Sequence, residues 1–556
     1  MQVTGQEKPT QSNAILIFMA TYNEASNIRT LLNDIWDKVP DADILVVDDN
    51  SPDGTGTLLN EIAATNNQLK VIHRPRKLGL GTAHHLAMIY AMQHAYDVLI
   101  TMDADHSHNP ADIPILLTKL ADADFVIGSR YMRGGNCDYG GYRKFLSTAA
   151  NTAARFLLGI PLHEFTTSFR AFRVSKLTKV NFVKMHNQGY SFFMESVYRF
   201  KQAGLTLAEV PIYFRHRNAG SSKIPRLEIF RGMLKLLHLV TSKLLRRKMS
   251  PAAPLINDFC VNCHDGFLSE YYPRQLQANT ESNPSNAFRC SSMTHASKPC
   301  LAKCLHCGLI QIPRIEHPAD LEELYADVVD HHYLTNLPAK RKTFARAYQA
   351  IKSFLPHQGS LLEVGSYCGL FLSEAKKHGW NVTGIEPSRW AANHAKSHYE
   401  HEIHNGNLET IAPSLNKEFD AIVTWDVLEH VRDPIEYLKI INGLLKEDGT
   451  DALSTLDMSS WFPRLAGRYW PWIMEMHLFY FDTEVLRFIF RRAGFELLCA
   501  ESYCHYASLR YIYTKFCAAL PPYLGRILLK ASKVIPEWVV PVTLGDVKLY
   551  VGRKIK

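Results

Sequence analysis

The chain has 556 residues, of which 46% are apolar and 21% charged, a globular composition with length for about three domains. Its formal net charge of +8 suits small anionic partners such as nucleotides or lipid phosphates and gives no argument for nucleic acid. No run of about 18 apolar residues predicts a membrane-spanning helix. Eleven cysteines without a secretion signal exclude a disulfide scaffold and point to reducing cytosol.

Short apolar runs at Ala14–Ala20, Ile44–Val47, Val98–Met102 and Phe125–Ile127 alternate with helix-like segments up to about residue 220. Each run ends at a polar cluster. That alternation predicts a parallel α/β sheet with its ligands at the C-terminal strand ends. At one such end, Asp103-Ala-Asp105 offers two carboxylates for a hard divalent cation, Mg2+ or Mn2+, with positions left for diphosphate oxygens. At another, Asp48 and Asp49 can accept hydrogen bonds from a nucleotide base or ribose.

Residues 223–248 differ: Lys223, Arg226, Arg231, Lys235, Lys243, Arg246, Arg247 and Lys248 oppose the single acid Glu228, and Phe230, Met233, Leu234, Leu237 and Leu244 recur at helical spacing. The segment reads as an interfacial helix on anionic membrane, or as a helix packed on the domain with a solvated basic face. Ser250–Pro254 reads as a linker. In the following block, Cys260-Val-Asn-Cys263 and Cys304-Leu-His-Cys307 are two thiolate pairs spaced for tetrahedral zinc, with Cys290 or Cys300 as substitutes for one ligand. Four sulfurs would close the site, giving it a folding role. Residues 268–300 look loop-like.

A second α/β alternation runs from about 340 to the end. Glu363-Val-Gly365-Ser-Tyr-Cys-Gly369 joins a strand to a helix, where glycines let the backbone approach a nucleoside. Glu386, 21 residues beyond Gly365, is placed to accept both ribose hydroxyls. Tyr367 takes the middle glycine position.

In order, Thr21-Tyr22-Asn23-Glu24, Val47-Asp48-Asp49-Asn-Ser-Pro-Asp-Gly, Lys77-Leu-Gly-Leu-Gly-Thr82, Asp103-Ala-Asp105-His-Ser-His-Asn-Pro110, Gly128-Ser-Arg130-Tyr131 and Gly189-Tyr-Ser191 resemble family 2 glycosyltransferases, specifically the dolichol/polyprenol-phosphate mannosyltransferases. The resemblance covers about residues 13–240. It implies a GT-A fold, with Tyr22, Glu24, Val47, Asp48 and Asp49 on the nucleotide and Asp103 and Asp105 on the metal. It also implies a nucleotide-sugar donor, favouring GDP-mannose, and a polyprenyl phosphate acceptor. Ser107 stands where some relatives place a further metal-side ligand. A lipid phosphate is already anionic at neutral pH and needs no strong base. The chain must instead supply cations, and Arg130, Arg143, Arg217 and Lys223 are the candidates. The last two lie in a stretch resembling the family's Arg-x-x-Gly-x-Ser-Lys loop. Ala20, Glu164 and Thr167 depart from the family's Pro, Asp and Gly.

Phe419-Asp-Ala-Ile-Val-Thr-Trp-Asp426-Val-Leu-Glu429-His430, Leu444–Gly449, His477–Phe481 and Ala493–Glu496 resemble class I S-adenosylmethionine (SAM) methyltransferases of Rossmann-like fold. The cysteine pairs resemble the leader before many bacterial members. The resemblance implies a SAM pocket of Glu363, Gly365, Glu386, Asp426, Gly369 and Asn407, the last standing where an acid is common. His430 and His477 are base candidates if the acceptor is a hydroxyl or carbon acid. The expected organisation is α/β throughout: a GT-A domain over 1–248, a linker and small zinc-binding insert over 249–340, and a methyltransferase domain over 341–556. The chain then sits in the cytoplasm, peripheral to the membrane face where a lipid acceptor is used. A soluble acceptor, or one half acting as a binding module, are the open alternatives.

Overall fold

The strands of the N-terminal half are uninterrupted apolar runs, the pattern of strands covered on both faces. In the computed structural model they are Ile15–Thr21 (β1), Asp43–Asp48 (β2), Leu69–His73 (β3), Val98–Asp103 (β4), Phe125–Ser129 (β5), Arg170–Arg173 (β6) and Leu207–Pro211 (β7). They form one sheet in the order β3-β2-β1-β4-β6-β5-β7. The structure describes residues 14–182, 185, 191–216, 227–244, 256, 258–276, 297–318, 321–326, 328–356, 358–519 and 522–555.

The sheet is mixed where a parallel one was expected. β6 runs antiparallel to both β4 and β5, while β1, β2, β3 and β4 pair in parallel. The helices cover the faces through apolar stripes: Ile28, Leu31, Leu32 and Ile35 of Ile28–Lys38 are buried at helical spacing.

The C-terminal half builds a second sheet from Ser360–Val364 (β8), Asn381–Glu386 (β9), Glu402–Asn405 (β10), Phe419–Trp425 (β11), Leu445–Leu456 (β12), Phe495–Ser502 (β13) and Val547–Lys554 (β14). Its order is β10-β9-β8-β11-β12-β14-β13. The first five strands are parallel, and β14 returns antiparallel between β12 and β13. The chain leaves β8 toward opposite sides, so a crevice opens at the carboxyl ends of β8 and β11, the position where such sheets take ligands. Contacts divide the chain into two compact units, built mainly on Met1–Asn257 and Leu309–Lys556.

Residues 268–300 are not wholly loop: Leu268–Tyr272, Gln275–Leu276 and Ser297–Lys298 are strands, and the last two pair with each other. The basic segment contains the helix Leu227–Leu244. Its Leu236 and Leu239 are buried, whereas Met233, Leu234, Leu237 and Leu244 are exposed. Arg246, Arg247, Lys248, the linker Ser250–Pro254 and Cys290 lie outside the described residues, as do Gly189 and Tyr190. Among the described residues no helix is long and apolar enough to cross a membrane.

Candidate functional site

Parallel register brings the motifs of the first half together. Thr21 lies opposite Asp48, and Ala20 opposite Asp103, so the ends of β1, β2 and β4 deliver their acids side by side. Just beyond each strand the chain turns through a left-handed non-glycine residue: Asn23 at φ 60°, Asn50 at φ 59° and His106 at φ 61°. Asn and His tolerate this conformation better than most residues, and its concentration at one edge marks a functional site.

Asp48 is buried and accepts from the Thr21 hydroxyl at 3.1 Å and the Ser51 amide at 3.1 Å. Burial pushes its carboxyl up, but hydrogen bonds from His73, Ser51 and Thr21 outweigh this and hold it below the usual carboxylate range. Asp49 accepts from the Arg74 guanidinium at 3.1 Å. Tyr22 lies under the Lys77 ammonium, 4.3 Å from its ring centre, and Glu24 accepts from Asn27 at 2.9 Å. The Val47 side chain is in the hydrophobic core, which leaves its backbone as the part that can meet a nucleotide.

Asp103 accepts from the Ser168 hydroxyl at 2.6 Å and Asp105 from the Ser107 amide at 3.0 Å. Behind them His108 Nδ1 accepts from the Asp103 amide at 3.0 Å, and its Nε2 lies 3.1 Å from the Thr167 hydroxyl. Burial lowers the His108 pKa, so the ring stays neutral beside the acids. The Ser107 hydroxyl is buried without a partner among the described residues. Two carboxylates and an unmatched hydroxyl at a strand edge fit a hard cation.

Arg130 is less open than expected. Its Nε and Nη2 donate to both Glu164 oxygens at 2.7 and 2.8 Å, Nη2 to the Thr166 hydroxyl at 2.9 Å and Nη1 to Tyr139 at 2.8 Å. Four of the five guanidinium donors are thereby engaged. The side chains of Arg217 and Lys223, and that of Arg143, lie outside the described residues. Sequence reasoning missed Arg74, His108 and Ser168. The Lys77-to-Thr82 motif hid the first, whose Nη1 also bonds the Thr82 hydroxyl at 3.1 Å.

Cys260 and Cys263 form one thiolate pair and Cys304 and Cys307 the other, and all but Cys263 are buried. Thiolate pairs at this spacing fit tetrahedral zinc. Cys300 is buried as well.

In the second unit the β8 and β11 ends border a cavity of about 1640 Å³. Gly365 at φ 75° and Gly369 at φ 73° shape the turn, and a Cβ on Gly365 would sit 2.6 Å from Val427. Tyr367 takes φ 45° between them, so the turn forms without the middle glycine. Glu386 accepts from the amides of Tyr367 at 2.7 Å and Ser388 at 2.8 Å, and burial raises its carboxyl to about 7. Glu363 is buried with Oε2 unmatched among the described residues, and burial pushes its carboxyl well up. A buried carboxylate facing this cavity fits a cationic ligand such as a sulfonium with an amino group. Asp426 accepts from the Ser454 hydroxyl at 2.6 Å. Asn407 lines the cavity but caps its own helix, accepting from the Thr410 amide at 3.1 Å. His430 and His477 also line it, their ring centres 4.8 Å apart; burial lowers His430 to about 4.

Acid-bearing strand ends on one α/β sheet and a cavity at the strand ends of a second give two separate candidate sites, and comparison with known proteins specifies them as those of two transferase domains. Residues 16–180 match the glycosyl transferase family 2 model and residues 331–500 a methyltransferase domain model. Over 232 residues the chain is 39% identical to a polyprenol monophosphomannose synthase of Mycolicibacterium smegmatis, covering 41% of this chain and 87% of that protein. It is 38% identical over 211 residues to an undecaprenyl-phosphate mannosyltransferase of Micrococcus luteus, covering 38% and 87%. Among solved structures, the C-terminal half is similar to a possible histamine N-methyltransferase of Thermotoga maritima, at 21% identity, 39% and 90% coverage and a TM-score of 0.26. The chain belongs to glycosyltransferase family 2 through its N-terminal half and carries a methyltransferase domain in the same polypeptide.

Proposed function

We propose that the first domain transfers mannose from GDP-mannose to a polyprenyl phosphate, and that the second transfers a methyl group from SAM to a glycan or small-molecule acceptor. The observation that carries the first half is the register that sets Asp48 and Asp49 beside Asp103 and Asp105, in a chain 39% identical to a polyprenol monophosphomannose synthase.

In this reading Tyr22, Glu24, Asp48 and Asp49 hold the base and ribose. Asp103 and Asp105 hold a divalent cation, which supplies Lewis-acid stabilisation of the leaving diphosphate when bound. Arg74 holds Asp49 in place through its guanidinium. Glu164 holds Arg130 at the end of β5, leaving its remaining donor for a phosphate oxygen. Arg143 is assigned to the acceptor phosphate on its charge, and Arg217 and Lys223 on the loop that resembles the family's.

In the second domain Glu386 receives the ribose hydroxyls, Gly365 and Gly369 admit the nucleoside, and Glu363 faces the cationic end of the donor. Asp426 closes the β11 side, and Asn407 contributes at the adenine end. SAM supplies an electrophilic methyl on sulfur. The four cysteines hold a structural zinc. The working boundaries are 1–248, 249–340 and 341–556.

We assign the membrane contact to two neighbouring helices. Tyr142, Phe145 and Phe156 are exposed on Gly141–Leu158, and Met233, Leu234 and Leu237 on Leu227–Leu244. Lys243 joins the two helices through the Leu158 carbonyl at 2.9 Å. Exposed aromatic and aliphatic side chains beside basic residues suit an anionic bilayer surface, where a lipid acceptor would be met at the cytoplasmic face. The test is a panel on the full chain: GDP-mannose against UDP-sugars, undecaprenyl phosphate against short soluble alcohols, each with Mg2+ or Mn2+. The proposal expects mannosyl transfer from GDP-mannose to the lipid phosphate. Transfer only to soluble alcohols, or only from UDP-sugars, would overturn it.

A further inference from the structure

Glu429, His430 and His477 form a cluster that the donor pocket does not use. Each offers one ligand atom, and these atoms lie within 4.8 Å of one another. All three line the cavity that also contains Glu363, Glu386 and Asp426. The backbone builds the meeting: the Leu478 amide donates to the Glu429 carbonyl at 2.7 Å, drawing His477 onto the turn after β11.

The outer contacts orient each ligand. His430 Nδ1 lies 2.7 Å from the Tyr325 hydroxyl and 2.8 Å from the Met476 carbonyl, and His477 Nδ1 lies 2.8 Å from the Trp472 carbonyl. A carbonyl only accepts, so both carbonyl contacts favour the proton on Nδ1. Glu429 Oε2 accepts from the Thr455 hydroxyl at 2.8 Å. Histidine ligands fixed by carbonyls and a carboxylate fixed by a hydroxyl are the supports that metal-ligating groups require.

We infer that Glu429, His430 and His477 bind a divalent transition-metal ion at the acceptor side of the methyltransferase cavity, and that this ion holds a hydroxyl-bearing methyl acceptor. Two imidazoles and one carboxylate suit zinc-class ions rather than Mg2+ or Ca2+, and three protein ligands leave a position open for substrate. The inference rests on the methyltransferase reading for its substrate. A metal-bound hydroxyl loses its proton to solvent more readily. The oxygen then forms a bond to the methyl carbon while the carbon–sulfur bond of the sulfonium breaks. The electron pair leaves on sulfur, giving a methyl ether, a neutral thioether and one released proton.

The test uses the full chain, stripped with chelator, refilled with one equivalent of Zn2+ for the cysteine cluster, held in excess Mg2+ to occupy Asp103 and Asp105, and then titrated with Co2+. The expected result is one further equivalent with visible d–d bands and no thiolate charge-transfer band. His477→Gln and Glu429→Gln should each weaken that binding by more than about tenfold, the loss already seen when only outer supports are removed. SAM binding by calorimetry, retained in both variants, shows that the pocket still folds. Failure to take up Co2+ beyond the cysteine cluster, or uptake unchanged in both variants, would overturn the site. Co2+ uptake without SAM binding by the wild-type chain would leave the metal site standing and remove the methyltransferase reading instead.

Discussion

Glu164→Gln removes one charge from a pair that is almost wholly out of water: the side chains of Arg130 and Glu164 are 9% and 0% exposed. Burial alone would push the Glu164 carboxyl up, but the Arg130 guanidinium reverses this and holds it below its ordinary range. At an effective dielectric near 20, charges about 4 Å apart attract by ~4 kcal/mol, and removing one partner of a buried pair costs about 3–5 kcal/mol. The variant also weakens the Thr166 contacts to Glu164, at 2.7 and 3.0 Å. We therefore expect Glu164→Gln to destabilise the glycosyltransferase unit by ~3–5 kcal/mol. The double replacement Arg130→Met with Glu164→Leu should recover most of that loss, because no charge is left buried. Urea unfolding followed by hydrogen exchange at β5 amides reports this unit separately. A loss below ~1 kcal/mol, as for a surface pair, or a double variant no better than the sum of the single ones, would refute the reasoning.

Asp451 is buried without a partner among the described residues, and burial raises its carboxyl to about 8. A raised carboxyl stabilises the fold fully below its unfolded pKa and loses that contribution as pH rises toward 8, at ~1.4 kcal/mol per unit. Asp451→Asn should therefore gain on wild type by ~4 kcal/mol between pH 5 and 8; melting curves with identical pH dependence would contradict this. Elemental analysis should find one zinc tied to the cysteine cluster, lost in Cys307→Ser; zinc retained at full occupancy in that variant would contradict the assignment. Replacing Met233, Leu234 and Leu237 by Gln should reduce binding to anionic vesicles, since each removes apolar area worth about 25 cal/mol per Å²; sedimentation unchanged from wild type would contradict the membrane contact.

The strands and acid motifs were legible because a doubly covered sheet writes itself as apolar runs ending in polar clusters, as Ala14–Ala20 into Thr21-Tyr22 and Val98–Met102 into Asp103 do. β6 was not legible: Arg170–Arg173 carries two arginines in four residues, and its direction is set by pairing with β4 and β5 rather than by local pattern. The helix Leu227–Leu244 shows the same limit. Helical spacing identified an apolar stripe but not which stripe faces the core, and among the described side chains of this helix Leu236 and Leu239 are the buried ones. Arg130 was read from charge alone, whereas its partner Glu164 lies 34 residues away. The Glu429, His430 and His477 cluster joins two segments 47 residues apart through backbone bonds that no local motif announces.

The central claim is that two independent transferase sites share this chain, and reciprocal inactivation of the full-length protein tests it most directly. Labelled GDP-mannose and undecaprenyl phosphate report one site, and calorimetric SAM binding reports the other. Asp105→Ala should abolish mannosyl transfer and leave SAM affinity at wild type. Glu386→Gln should weaken SAM binding tenfold or more, because a hydrogen bond to a charged acceptor contributes ~1.5–3 kcal/mol and ~1.4 kcal/mol is one decade, while sugar transfer is unchanged. Loss of mannosyl transfer in Glu386→Gln, or of SAM binding in Asp105→Ala, would contradict the independence of the two sites.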